Sequence, residues 1–441
     1  MYETLGSYSG TAIKYKGVSY SYDDLCGQIL DYKNTVSSII KDGNCVVLNS
    51  DYSFYSIALF IALSQLNIVI VPIIDSSTDE YQSKIDACQP NTIIKITEKG
   101  ALNFEEISET KKISDEFDEI TKTGSGLVLF SSGTTGKPKT MLINLNNLIS
   151  SFNKPRKQSK LSFLVFLLFD HIGGLNTLLN CLNNGSVIVI PTARNPSSII
   201  DLIFKDRVNV LPTSPTFLNL MLLDENFDPD KLSSIKLITY GTERMPETLL
   251  KKINMALPRV KLMQTFGTSE TGILKTTSKS SDSLFFKIDD PDRETKVING
   301  ELFIRSKTGI KGYLDHDNSN FMDDGWFATG DLVEESEDGY LRVIGRKNDV
   351  INVGGLKVMP SEIENVINLV DGVIDASVYG AENIITGNMV CCKIVKKEGY
   401  DSKALKVSIR KFCKLKLESY KIPSKFIFEE NLRFSNRFKK L

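Results

Sequence analysis

Residues 127–139 combine the pattern of a buried strand with a cluster of hydroxyl, glycine and lysine residues, in the sequence LVLFSSGTTGKPK. The four apolar residues at its start predict a strand. The small residues that follow allow the backbone to turn tightly and to direct N–H groups at an anion, and the lysines add positive charge. A surface turn would explain the glycines but not the buried strand and the lysines beside them. The segment therefore predicts a phosphate-binding loop, and Pro138 after the Gly-Lys pair distinguishes it from the Walker loop.

Five later segments carry carboxylates, hydroxyls and glycines suited to nucleotide chemistry, and they are residues 240–243, 264–270, 325–331, 345–349 and 353–357. The first ends a predicted strand, which is where open α/β sheets bind their ligands. Glu270 closes the second and offers the oxygen ligand that Mg²⁺ prefers. Asp331 closes the third. In this order, the segments and the phosphate loop resemble the adenylate-forming superfamily of acyl-CoA synthetases, nonribosomal peptide adenylation domains and luciferases. The resemblance covers essentially the whole chain.

The resemblance implies ATP and Mg²⁺ as ligands and gives each matching residue a role. Phe266, where relatives usually have Tyr, would stack on adenine, and Asp331 would accept hydrogen bonds from the ribose hydroxyls. Glu270 and Thr135 would bind Mg²⁺, and Lys139 would act with Glu270 in catalysis. The full set implied to contact the nucleotide is Ser131, Ser132, Gly133, Thr134, Thr135, Gly136, Lys137, Gly241, Thr242, Glu243, Gln264, Thr265, Phe266, Gly267, Ser269, Asp331 and Arg346.

The last hundred residues are implied to form a small mobile domain. Residues 346–349 would be its hinge, with Asn348 where relatives commonly have Asp or Lys. Gly354 and Gly355 would let a pantetheine arm pass close to the backbone, so coenzyme A or the phosphopantetheine of a carrier protein is the expected acceptor. Near the end of the chain Lys439 matches the catalytic lysine of relatives, and Lys440 is the alternative.

Residues 169–175, FDHIGGL, are the predicted specificity element. His171 followed by small residues is similar to acyl-CoA synthetases, and Gly173 would leave room for an apolar acyl chain. Asp170 instead matches amino-acid-activating enzymes, in which an Asp binds the ammonium group of the substrate. We favour the acyl interpretation, in which Asp170 is satisfied by the local backbone.

Composition limits the class of protein and its partners. The chain has 441 residues, of which 41% are hydrophobic and 24% charged, enough for two packed domains. A net charge of −1 gives no electrostatic reason to expect nucleic acid as a partner. Seven cysteines without C-x-x-C spacing, only two histidines and no evident signal peptide predict a reduced, cytoplasmic protein without a zinc site. The uncharged residues 53–74 read as a buried helix followed by a strand, and we predict no membrane span.

Alternating helical and strand patterns must position these segments. Residues 12–25 read as a hairpin with a turn at Lys16-Gly17, followed by a helix. Strands are predicted at 45–49, 161–169, 186–190, 208–212 and 235–241, and helices at 196–205 and 215–223, with 105–123 as a solvated connection. This order predicts mainly parallel sheets covered by helices. From about Gly300 a smaller β-rich unit is expected.

The predicted fold is α/β, with a large N-terminal domain of layered sheets, a small β-barrel-like unit and a small mobile α+β domain. The predicted domains are the adenylation core at 1–345, the hinge at 346–349 and the lid at 350–441. The predicted activity is ATP-dependent activation of a small carboxylic acid as acyl-adenylate, with release of pyrophosphate and transfer to a thiol. The alternatives are an enzyme that loads an amino acid onto a separate carrier protein, and a non-catalytic nucleotide- or acyl-binding module.

Overall fold

The computed structural model describes residues 2–74, 77–107, 115–132, 138–152, 157–384 and 386–429, and only the backbone of Ser132. Five predicted loop residues, Gly133, Thr134, Thr135, Gly136 and Lys137, therefore lie outside the described residues, as do Lys439 and Lys440. No helix within the described ranges is both long and apolar enough to cross a bilayer. The uncharged residues 53–74 form the predicted pair of elements, a helix at Phe54–Leu63 and a strand at Val69–Ile73.

The first sheet holds the strand that leads into the predicted phosphate loop. In sheet order its six strands are β6 (Leu102–Glu106), β5 (Thr92–Ile96), β3 (Cys45–Asn49), β4 (Val69–Ile73), β7 (Gly126–Ser132) and β8 (Pro138–Asn144). The four inner strands run parallel, and the two edge strands are antiparallel to their neighbours. Because β7 and β8 pair, Ser131 lies opposite Lys139.

The second sheet is mainly parallel, as predicted. In sheet order its seven strands are β13 (Lys261–Gln264), β12 (Leu237–Tyr240), β11 (Val210–Thr213), β9 (Ser162–Leu164), β10 (Val187–Ile190), β1 (Thr11–Tyr15) and β2 (Val18–Ser21). The hairpin of β1 and β2 turns at the predicted Lys16-Gly17, where both residues have positive φ. The strand predicted at 161–169 is wrong beyond Leu164, because the Phe166 carbonyl accepts a bond from Arg194 Nε at 2.8 Å and the chain turns towards a helix.

Helices cover both sheets. The N-terminal helices are α1 (Tyr2–Leu5), α2 (Tyr22–Ser37), α3 (Phe54–Leu63), α4 (Thr78–Cys88), α5 (Asp115–Thr121), α6 (Leu145–Ser150), α7 (Ile172–Asn184), α8 (Pro196–Asp206), α9 (Pro215–Leu223) and α10 (Glu247–Ala256). Apolar residues of α3 and α7 share one core with strands of both sheets. The solvated connection predicted at 105–123 is wrong for α5, which buries Phe117 against the first sheet.

A smaller antiparallel sheet follows, beginning before the predicted Gly300. In sheet order its six strands are β16 (Thr276–Ser278), β17 (Phe286–Ile288), β21 (Leu341–Arg346), β20 (Trp326–Glu335), β19 (Glu301–Ser306) and β18 (Arg293–Ile298). A short hairpin of β14 (Phe266–Thr268) and β15 (Gly272–Leu274) joins it to the second sheet. Several residues predicted to bind the nucleotide lie where this hairpin joins the two sheets.

The C-terminal residues have a sheet and a hydrophobic core of their own. The elements are a 3-10 helix (Lys347–Asp349), β22 (Ile351–Val353), β23 (Leu356–Val358), α11 (Pro360–Ile367), β24 (Val373–Asn383), β25 (Gly387–Lys396), α12 (Ser402–Lys416), a second 3-10 helix (Ser419–Lys421) and β26 (Lys425–Glu429). Their buried side chains form one separate cluster. The domain boundaries at 345 and 350 stay a prediction.

Candidate active site

A cavity of about 720 Å³ in the second sheet includes the carboxyl ends of β11, β12 and β13 in its wall. Thr213 ends β11, Gly241 follows β12 and Thr265 follows β13, and all three line the cavity. The carboxyl ends of parallel strands meet at one edge of a sheet, and loops there are free to bind ligands. The predicted segments 240–243 and 264–270 therefore come together at this edge.

Backbone geometry explains the glycines of this edge. A Cβ at Gly241 would crowd the Thr265 side chain, and Thr242 after it has a φ of 70°, in the left-handed region. A Cβ at Gly267 would overlap the Gly272 carbonyl, so the tight hairpin of β14 and β15 requires glycine there. The hairpin brings Ser269 to the cavity wall.

Glu270 is held in the cavity wall by Tyr313, whose hydroxyl donates to Glu270 Oε1 at 2.6 Å. Lys139 Nζ lies 4.6 Å from the centre of the Tyr313 ring, within the range of a cation–π contact. Burial and the Glu270 carboxylate raise the pKa of the Tyr313 phenol. The phenol therefore stays protonated and remains a hydrogen-bond donor to Glu270.

The oxygen atoms around Glu270 are suitable ligands for a hard cation. Ser131, Thr268 and Ser269 line the same cavity and offer hydroxyl oxygens beside the Glu270 carboxylate. Mg²⁺ binds one or two carboxylates together with substrate phosphates and water, and it prefers oxygen ligands. The residues present therefore fit Mg²⁺, with Glu270 as the charged ligand. Thr135, the other predicted ligand, lies outside the described residues.

Asp331 and Arg346 form an ion pair across β20 and β21, with Arg346 Nε 2.8 Å from Asp331 Oδ1. The Asp331 side chain is only 9% exposed, and burial raises its pKa to about 6 against the opposing effect of Arg346. Arg346 lines the first cavity and an adjoining one of about 780 Å³, and Asp331 lines the adjoining one. The predicted ribose and nucleotide contacts thus lie at the boundary of two cavities.

Phe266 lines both cavities. This position suits the predicted stacking of its ring on adenine. Its ring is also stacked on the buried Phe286 at 5.7 Å between centroids. Gln264 and Glu243 line the second cavity but are not part of the described wall of the first. Glu243 Oε1 accepts the Thr216 N–H at 2.6 Å in the first turn of α9, so this carboxylate is held by a helix N-terminus.

The local-backbone explanation of Asp170 is wrong. Asp170 is 7% exposed, and its Oδ2 lies 3.4 Å from Nζ of Lys84, a buried residue of α4 that also pairs with Glu80 at 2.9 Å. Asp170 is absent from the described residues that line the first cavity, whereas its neighbours His171 and Gly173 line it. A carboxylate that already faces a buried lysine is poorly placed to bind a substrate ammonium group.

His171 and the glycines after it serve the start of α7. His171 is the N-cap, and its Nδ1 accepts the Gly173 N–H at 3.3 Å. A Cβ at Gly174 would overlap the carbonyl oxygens of Leu167 and Leu168, so this glycine is required by a close backbone approach. Of the two glycines, only Gly173 reaches the described cavity wall.

The predicted thiol-channel glycines lie away from the two cavities. Gly354 and Gly355 form the turn between β22 and β23, with φ of 58° and 87°, and neither lines a described cavity wall. Lys439 lies outside the described residues. Asn348, at the predicted hinge, does line both cavities.

Sequence reasoning missed two residues of this region. Tyr313 was not predicted because its contact with Glu270 joins residues that are distant in the chain. Lys84 was not predicted because lysine is rarely buried, although it lies on the face of α4 that also carries Tyr81, Ile85 and the buried Cys88. Only the folded arrangement of the sheets brings either residue to its partner.

The chain is similar to known proteins over most of its length. A family model described as AMP-binding enzyme matches residues 11–314, and one for the AMP-binding enzyme C-terminal domain matches residues 362–438. The chain is 27% identical to indoleacetate–CoA ligase from Aromatoleum aromaticum, over 69% of this chain and 64% of that protein. It is 26% identical to 2-succinylbenzoate–CoA ligase from Bacillus licheniformis, over 72% of this chain and 69% of that protein.

A solved structure shares the fold. ATP-bound MatB from Rhodopseudomonas palustris matches with a TM-score of 0.82 at 21% identity, over 99% of this chain and 96% of that one. The chain belongs to the AMP-binding enzyme family. This confirms the predicted family, the layered α/β fold with large and small parts, and the enzyme class, an AMP-forming acid–thiol ligase.

Proposed function

We propose that the protein activates a small carboxylic acid with ATP, releasing pyrophosphate, and transfers the acyl group from the adenylate to the thiol of coenzyme A. The observation that carries the proposal is the group of Glu270, Tyr313 and Lys139 in the wall of one cavity. A carboxylate and an ammonium group there suit the polyphosphate of ATP and its metal ion. The names of the relatives, which are CoA ligases, support the same reaction.

The first step is attack of the substrate carboxylate on the α-phosphate, with pyrophosphate as the leaving group. Lys139 neutralises charge on the phosphates, and Ser131 and Ser269 donate hydrogen bonds to phosphate oxygens. Mg²⁺ bound by Glu270 would supply charge neutralisation on the phosphates. Asp331 accepts hydrogen bonds from ribose. These residues act chiefly by positioning, because phosphate chemistry of this type needs little covalent help from protein.

The second step is attack of a thiol on the mixed anhydride, which releases AMP. We assign the turn at Gly354 and Gly355 to the thiol channel and Lys439 to the first step. Since this turn does not line the described cavities, the proposal requires a rotation of residues 350–441 between the steps. Coenzyme A is the acceptor that the relatives' names favour, and a carrier protein is the alternative.

The amino-acid-activating alternative is disfavoured by the pairing of Asp170 with Lys84. A non-catalytic binding module is disfavoured by the presence of Glu270, Asp331 and Lys139 in the arrangement described above. All seven cysteines lie in described parts of the chain and are free thiols. This supports a cytoplasmic location, which stays a prediction.

Exchange of labelled pyrophosphate into ATP across a panel of fatty, aryl and amino acids tests the proposal. We expect exchange with at least one simple acid, dependent on Mg²⁺, and its loss in Glu270→Gln. The matched control is Glu294→Gln on β18, because Glu294 is exposed and pairs only with Arg305 among the described residues. Exchange at the parent rate in Glu270→Gln would contradict the assignment.

A further inference from the structure

The helix α7 presents a polar face to the first cavity. Asn176, Thr177, Asn180 and Asn183 line the cavity and recur every three or four residues, so they lie on one side of the helix. The leucines and Cys181 of the same helix are buried in the core shared with the sheets. A helix whose role was only to enclose an apolar acyl chain would not need three amides on this side.

The amides on this face have few partners within the protein. Asn180 Oδ1 accepts a bond from Asn184 at 2.9 Å, but Asn180 Nδ2 and the side chains of Asn176 and Asn183 have no hydrogen-bond partner among the described residues. Asn183 is only 5% exposed. Asn176 and Asn180 are half-buried. A buried amide without a partner is costly, and most are satisfied by protein or by water. These groups are therefore available to a bound molecule.

The opposite wall is mainly apolar, although Thr239 of β12 also lines it. Phe163, Val210 and Leu237 are neighbours across β9, β11 and β12, and all three line the cavity. Thr213, at the end of β11, is 2% exposed, and its buried hydroxyl oxygen makes no hydrogen bond. The recess between helix and sheet therefore has one mainly apolar side, one amide side and an unpartnered hydroxyl at its rim.

The recess runs inward from the nucleotide end. Because α7 connects the parallel strands β9 and β10, it begins at the carboxyl edge of the sheet, where Glu270 and Ser131 lie, and ends at the opposite edge. At a rise of about 1.5 Å per residue, Asn176, Asn180 and Asn183 lie about 5, 11 and 15 Å further along the axis than Gly173. The amides thus follow the length of a bound acyl group.

The recess carries no fixed charge among its described lining residues. None of those contributed by α6, α7, β9, β11 and β12 is Lys, Arg, Asp or Glu. The charged lining residues come from other segments, and they are Lys139, Glu270, Lys275, Asp290, Arg293 and Arg346. A second carboxylate or an ammonium group on the substrate would find no ion-pair partner among these described residues, which makes its burial beside them costly.

We propose that this pocket selects a carboxylic acid whose largely apolar acyl group carries neutral hydrogen-bonding groups, such as hydroxyl, carbonyl or amide groups, away from the carboxyl end. This rests on the proposed function, which puts the carboxylate at the nucleotide end of the cavity. The apolar side packs on Phe163, Val210 and Leu237, and the polar groups bond to Asn176, Asn180 and Asn183. A site built to hydrogen-bond its substrate discriminates strongly against an analogue that lacks the polar group.

The test measures pyrophosphate exchange by the full chain with carboxylic acids of equal chain length that differ in the group at the end opposite the carboxylate. The acids are octanoate, its ω-hydroxy and ω-carboxamide derivatives, its ω-amino derivative and suberate. We expect kcat/KM for the hydroxy or carboxamide acid to exceed that for octanoate by about tenfold or more. Equal or better use of octanoate, or a preference for suberate or the amino acid, overturns the proposal.

Substitutions on α7 test whether its amides cause the preference for the polar acid. Asn180→Leu and Asn183→Leu should lower kcat/KM for the preferred polar acid about tenfold or more and leave octanoate unchanged or improved. Thr177→Val, on the same helix face, should leave the ratio of kcat/KM for the two acids unchanged whatever its effect on both, because the Thr177 hydroxyl already donates to the Gly173 carbonyl at 2.9 Å. If the leucine variants fold poorly, Asn180→Ala and Asn183→Ala replace them. An unchanged ratio of the two acids in folded variants overturns the proposal.

Calorimetric binding of the same acids separates this inference from the proposed function. Tighter binding of the polar acid without any exchange would contradict the proposed reaction and support the pocket assignment. Exchange with all acids but equal binding would support the reaction and overturn the pocket assignment. Absence of both binding and exchange for every acid overturns both.

Discussion

Replacement of Tyr313 by Phe is expected to slow adenylate formation by misplacing Glu270. The change removes the hydroxyl that donates to Glu270 Oε1 at 2.6 Å and keeps the ring that Lys139 contacts at 4.6 Å. A hydrogen bond to a charged group contributes about 1.5–3 kcal/mol. If all of that positions Glu270 in the transition state, the exchange rate falls about 10- to 100-fold, since about 1.4 kcal/mol corresponds to tenfold.

The assay is pyrophosphate exchange as a function of Mg²⁺ concentration, with thermal unfolding measured in parallel. We expect Tyr313→Phe to need more Mg²⁺ for half-maximal exchange, because the carboxylate is less well oriented. Tyr313→Leu, which also removes the ring beside Lys139, should lose more activity. A folded Tyr313→Phe protein with the parent rate and the parent Mg²⁺ dependence would refute this reasoning.

Three further predictions concern other parts of the site. The folded-state pKa of Asp331 is raised by burial to about 6, so the folded protein binds more protons than the unfolded chain between about pH 4 and 6 and its stability falls as pH rises through that window. Asp331→Asn should remove this dependence, gain about 3 kcal/mol over the parent near pH 7 in denaturant unfolding, and weaken ATP binding; an unchanged pH profile would contradict this. Asp170→Asn should destabilise the fold by about 3–5 kcal/mol, because Lys84 then stays buried with Glu80 as its one carboxylate partner among the described residues. KM for a simple acid should barely change, and a sharp rise in KM for an amino acid would favour the alternative function. Lys439→Ala should slow pyrophosphate exchange but leave thioester formation from supplied acyl-adenylate nearly intact. Gly354→Leu should do the reverse. Equal loss of both steps in both variants would argue against two conformations.

Local patterns in the sequence predict much of this fold. The buried strand predicted from residues 127–130 and the helix and strand within 53–74 follow from apolar runs, and the structure has both. The strand end at Gly241 and the segment to Glu270 meet because parallel strands end at one edge. These features depend on neighbours in the chain or on the general rules of α/β sheets, so one sequence suffices to find them.

What the sequence did not predict depends on contacts between distant segments. Asp170 was assigned to local backbone, but its partner is Lys84, which lies 86 residues earlier. Tyr313 approaches Glu270 across 43 residues. The polar face of α7 is likewise not evident from the sequence, because its amides can be recognised as pocket residues only when the opposite wall is known. No periodicity within a single element reports such contacts.

The origin of the oxygen atoms in AMP tests the proposed reaction most directly. The best acid of the panel, labelled with heavy oxygen in its carboxyl group, is incubated with ATP, Mg²⁺ and coenzyme A, and the products are analysed by mass spectrometry. Attack of the carboxylate on the α-phosphate, followed by thiol attack on the carbonyl, leaves one labelled oxygen in AMP. Unlabelled AMP beside a labelled inorganic phosphate, or formation of ADP, would contradict the account.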